Sequence, residues 1–88
     1  MAKILEEREI GPAELGEYIL NILKKGKKMT FYEIAQALYA RSPRNGKITA
    51  NADEVGEGLK ALKASREIPE LIIDFAKEEA VFASQVSI

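Results

Sequence analysis

Two helix-start signals in the middle of the chain constrain its fold more than any other feature. In Thr30-Phe31-Tyr32-Glu33 the threonine hydroxyl is placed to accept from the Glu33 amide. The Glu33 carboxylate can accept from the Thr30 amide in return, so two donors that no helical carbonyl can reach are satisfied together. Met29 and Ile34 stand where a hydrophobic staple fixes the entry angle of the chain. Asn51-Ala52-Asp53-Glu54 repeats the logic, with Asn51 as the cap, Glu54 at the reciprocal position and Val55 opening a new apolar stripe. The chain therefore starts one helix at Phe31 and another at Ala52.

The flanking segments follow from periodicity and breakers. Gly11-Pro12 begins a first helix, because proline is tolerated where the amide has no helical partner. Leu15, Tyr18, Ile19, Ile22 and Leu23 recur at helical spacing, and Gly26 is the natural stop in a left-handed position. Lys27-Lys28-Met29 is long enough for a very short strand. The second helix runs from Phe31 to about Ala40, with Phe31, Ile34, Ala35 and Leu38 on one side and Tyr32, Gln36 and Tyr39 on the other. Residues 41–47 read as a loop, since Pro43 discourages helix before it and Asn45-Gly46 is a turn dipeptide. The third helix spans about Ala52 to Ser65 and buries Val55, Leu59 and Leu62, while Gly56 and Gly58 weaken it unless their small size serves a contact. Leu71-Ile72-Ile73-Asp74-Phe75 and Val81-Phe82-Ala83 alternate around Lys77-Glu78-Glu79 and read as a hairpin. The loop lacks glycine, and a helix started by Pro69 also fits residues 69–84. Residues 2–10 fit a short strand, a frayed helix or an arm.

Eighty-eight residues make one domain. With no cysteine and no histidine, the chain lacks disulfides, thiolate chemistry and the commonest general base and metal ligand. Ser65, Ser84 and Ser87 have no histidine to activate them. Asp53, Glu54 and Glu57 have ligand-like spacing, but acids in a first turn serve the helix dipole. No catalytic residue, metal or cofactor is expected. No signal peptide or membrane span is apparent, so a cytoplasmic protein is expected.

The net charge of −1 hides a division along the chain. Residues 24–47 carry seven basic side chains against Glu33 alone, whereas the segments on either side are net acidic. Only the middle third would attract a polyanion.

Helix, short strand, helix, turn, helix and hairpin over about residues 12–84 resemble the winged helix-turn-helix superfamily. The Thr30-Phe31-Tyr32-Glu33-Ile34-Ala35 stretch is similar to the start of the second helix in many members. The expected fold class is mainly α with a small β-hairpin (α+β), a three-helix winged helix-turn-helix at residues 12–84 with an N-terminal arm at 1–11 and a tail at 85–88. The chain departs from the superfamily in the connection between its second and third helices, about ten residues where three or four are usual. The resemblance implies a small DNA-binding protein, a transcriptional regulator or chromatin-associated factor, with the third helix in the major groove and the hairpin against the backbone.

The outward face of that helix would present Asp53, Glu57, Lys60 and Ala64, and the hairpin tip is acidic. Nucleic-acid contacts are therefore expected from Lys27, Lys28, Arg41, Arg44, Lys47, Thr49, Asn51, Lys60 and Lys63. Tyr32, Gln36 and Tyr39 are candidates for a protein interface, with Tyr39 alternatively packed under the long loop or the N-terminal segment. Double-stranded DNA and a second copy of the chain are the expected partners. Ile4, Leu5, Ile10, Val86 and Ile88 have no obvious place in a monomer's core and point to a homodimer. The alternative is a winged-helix protein-interaction module of a replication, transcription or other multi-subunit assembly.

Overall fold

The computed structural model describes residues 3–4, 8–40 and 47–83. Among these, three helices carry the core, α1 (Pro12–Leu23), α2 (Phe31–Ala40) and α3 (Ala52–Ser65), and six short strands accompany them: β1 (Lys3–Ile4), β2 (Arg8–Glu9), β3 (Met29–Thr30), β4 (Ile48–Thr49), β5 (Leu71–Asp74) and β6 (Glu79–Phe82). They form two antiparallel three-stranded sheets, ordered β2-β1-β4 and β3-β6-β5. The fold is α+β.

Each helix starts for the local reason its sequence supplies. Thr30 Oγ1 accepts from Glu33 N at 3.0 Å while Glu33 Oε1 accepts from Thr30 N at 2.9 Å. The Asn51 and Glu54 pair is equally reciprocal, at 2.8 and 2.9 Å. Burial works to raise the pKa of Glu54, but hydrogen bonding, including that from the Asn51 N–H, outweighs it and leaves the carboxyl below the usual glutamate value. α1 opens on Gly11-Pro12 with no side-chain cap. It ends where the N–H of Gly26, at φ +88°, donates to the Leu23 carbonyl.

Leu15, Ile19 and Leu23 of α1 pack with Ile34 and Leu38 of α2 and with Val55, Leu59 and Leu62 of α3, all essentially inaccessible. Glycines set the distance between α1 and α3. A Cβ on Gly16 would stand 2.6 Å from the Gly58 carbonyl oxygen, and one on Gly58 would meet Ile19 and Leu15. Gly58 thus serves the close approach of the α1 face formed by Leu15, Gly16 and Ile19. Gly56 makes room for the Phe31 ring in the same way.

The segment 71–82 is a hairpin, not a helix. Its turn dispenses with glycine because Glu78 itself takes the left-handed conformation, at φ 55°. The Asp74 carboxylate accepts from Lys77 N at 3.0 Å, closing the turn from within. The Glu78 carbonyl then accepts from Phe31 N at 2.8 Å, fastening the hairpin to the first residue of α2.

One expectation needs correction. Ile10 lies in the core of a single chain, 2% exposed, because β1 and β2 bring it there, and it is no longer surplus to a monomer. The long α2–α3 connection contains β4, whose Ile48 is fully buried and whose residues pair with β1. Among the three options open for residues 2–10, residues 3–4 and 8–9 form strands. Leu5, Val86 and Ile88 lie outside the described residues.

The glycine crossing predicts unequal effects of one substitution. Gly16→Ala should cost about 1–3 kcal/mol in urea unfolding, because backbone must shift. Gly56→Ala should be nearly neutral, since a ring that yields slightly offsets a helix-propensity gain of up to about 1 kcal/mol. Glu78→Gly, which relieves a left-handed residue, should raise stability by roughly 0.5–1 kcal/mol in the same assay.

Candidate functional site

The basic residues singled out from sequence fall in separate places. Lys27 and Lys28 are exposed between α1 and β3. Lys28 approaches Glu79 at 3.8 Å, a surface pair of small energetic weight. Lys60 and Lys63 ride on α3 but turn to the chain's own hairpin. Lys60 Nζ sits 5.6 Å from the centroid of the Phe75 ring, and Lys63 Nζ donates to the Leu71 carbonyl at 3.2 Å. Phe75 in turn meets Phe31 edge-on at 6.0 Å. Arg41 and Arg44 lie outside the described residues.

α3 shows Asp53 and Glu57 to solvent, as its inward stripe requires. Glu54, their neighbour in sequence, is committed to the Asn51 cap. The exposed face of α3 therefore has mixed charge, and the hairpin tip beside it adds Lys77 and Glu78. Ile72 and Phe75 leave apolar surface on the hairpin, 55% and 42% exposed.

Other predicted residues come together. Tyr32, Ala35, Gln36 and Tyr39 of α2 face residues 48–52 across a groove of about 550 Å³. Tyr32 is 65% and Tyr39 47% exposed, so neither is packed away under a neighbouring segment. Gln36 Nε2 donates to the Tyr32 hydroxyl at 3.2 Å, and Lys47 Nζ stands 4.8 Å from the centroid of the Tyr39 ring. Thr49 and Asn51 line the opposite wall. Asn51 Oδ1 is occupied by the helix cap, which leaves its amide hydrogens as donors. A smaller recess of about 270 Å³, lined by Lys27, Met29 and Glu33 among others, lies on another flank of α2 and shares Gln36 with the groove.

Two candidate sets, the tyrosine stripe and the residues before α3, thus line one groove. Sequence reasoning missed its floor, Ala35, Ile48 and Ala50. The nearest signal was Ile48 within a polar stretch, too short to show a period. Among the described residues no helix is long and apolar enough to cross a membrane. No protein-family model, no curated protein and no solved structure matches this chain.

Proposed function

We propose that the chain is a small winged-helix DNA-binding protein, a transcriptional regulator or chromatin-associated factor, that grips duplex DNA largely through its basic segment. One observation carries the reading: β3 pairs with β6, and Phe31 N–H holds the Glu78 carbonyl, so the hairpin sits against the start of α2 and beside α3. That is the relation between wing and recognition helix expected of this superfamily. Exposed Lys24, Lys25, Lys27, Lys28 and Lys47 supply the attraction. Because α3 itself carries Asp53 and Glu57, the grip is mainly on phosphates and weak.

A second reading, the protein-interaction module, draws on that same α3 face. Its lysines, although exposed, contact the hairpin, and the Asp53 and Glu57 carboxylates face solvent beside them. This suits a protein partner better than a polyanion.

A mobility-shift series on duplex DNA from low to moderate salt separates the two. Binding should be present at the lowest salt and fade steeply, with a slope of about −0.9 per phosphate neutralised. Lys27→Ala with Lys47→Ala should reduce that slope by up to about two. No binding at the lowest salt sinks the DNA reading. Asp53→Asn with Glu57→Gln should strengthen duplex binding if α3 faces DNA, and an unchanged affinity favours the interaction module.

Action as a homodimer in the cytoplasm completes the proposal, since a second copy would bring two weak positive surfaces onto one duplex. With Ile10 accounted for within one chain, the remaining case rests on Ile4, Leu5, Val86 and Ile88 and on the small size of the domain. Sedimentation equilibrium should return twice the chain mass; a monomer at tens of micromolar refutes it.

A further inference from the structure

The groove beside α2 differs from the rest of the surface in its chemistry. Among the described residues its lining has no carboxylate and is rich in hydrogen-bond donors: the hydroxyls of Tyr32, Tyr39 and Thr49 and the amides of Gln36 and Asn51. The charge at its rim beside Tyr39 is the Lys47 ammonium. Donors and a cation around two exposed aromatic rings complement an anion that carries flat, acceptor-rich groups. An apolar or acidic helix would match the rings or the lysine, but would not use both the ring faces and the amide donors.

Resting on the DNA-binding reading, we propose that this groove binds single-stranded DNA. Tyr39 and Tyr32 stack on unpaired bases, and Lys47 contacts the adjoining phosphate. Stacking on tyrosine is tolerant of base identity, because every base offers a π-face. Seven positions of helix set the backbone attachment points of the two rings roughly 10 Å apart along its axis, further than stacked neighbours stand. Each ring therefore takes its own base in an extended strand, and a duplex, whose bases face each other, cannot enter. Gln36, between the rings and bonded to the Tyr32 hydroxyl, keeps a carbonyl and an amide hydrogen for a base edge. The volume of about 550 Å³ suits a group of nucleotide size.

The test is fluorescence anisotropy of a labelled oligothymidylate against the full chain at low salt, with a labelled duplex and a labelled polyglutamate peptide of equal length in parallel. The single strand should bind and quench tyrosine emission. Tyr39→Leu and Tyr32→Leu should each weaken it at least roughly five-fold, while Tyr39→Phe, which keeps the ring, restores binding. Lys47→Gln should shrink the salt slope by about 0.7. Both tyrosines are exposed, so circular dichroism should show all variants folded. Single-strand binding that ignores the two leucine variants overturns the groove assignment, as does equal binding of polyglutamate. Duplex binding with no single-strand binding overturns it too, while leaving the DNA-binding reading standing. Failure of both nucleic acids overturns both.

Discussion

The close crossing of α1 and α3 is the constraint on which the remaining geometry depends. At Gly16 and Gly58 one helix's backbone lies against the other's, with 2.6 Å between the Gly58 carbonyl oxygen and the point where a Gly16 Cβ would be. A methyl group there would push the helices apart and open the layer that holds Leu15, Ile19 and Leu62. α3 pressed this closely to α1 turns Val55, Leu59 and Leu62 inward, so Asp53, Glu57 and Lys60 must face solvent. The charge displayed by the third helix is a consequence of that crossing.

A second set of contacts fastens the hairpin, and it does so with groups that would otherwise be available for binding. β5 is an outer strand of its sheet. Because Ala83 N donates to the Glu70 carbonyl, the polar groups of Leu71 turn away from β6, and both are satisfied internally. Leu71 N donates to the Ile68 carbonyl at 3.0 Å, and its carbonyl accepts from Lys63 at 3.2 Å. A strand edge treated in this way offers less to a foreign strand. Lys63 thus protects an edge, and Lys60 covers Phe75. Both α3 lysines thus make contacts within the domain, and the exposed cations of Lys24, Lys25, Lys27 and Lys47 lie before that helix.

Much of this was legible in the sequence where the determining interaction is local. Thr30 with Glu33 and Asn51 with Glu54 bond three residues apart, and each pair fixes a helix start without reference to the rest of the chain. The apolar stripes of α1, α2 and α3 were readable for the same reason, since a period of 3.6 repeats within each segment. Even the need for small residues at Gly56 and Gly58 showed, because glycine inside a helix is costly unless something approaches it. Which backbone approaches did not show, as Gly16 lies on another element.

What the sequence by itself determined is where the helices begin, which faces of them are apolar, and that positive charge gathers between residues 24 and 47. Tertiary structure decided the rest. β1, β2 and β4 hold two residues each, too few for a period, and exist only because Lys3 meets both Glu9 and Thr49 across the sheet. The turn at Glu78 lacks the glycine that would have announced it, and is held by Asp74 and Phe31 instead. The groove exists because folding sets the α2 tyrosines opposite residues 48–52. Its walls belong to separate elements, so their spacing along the chain carries no trace of it.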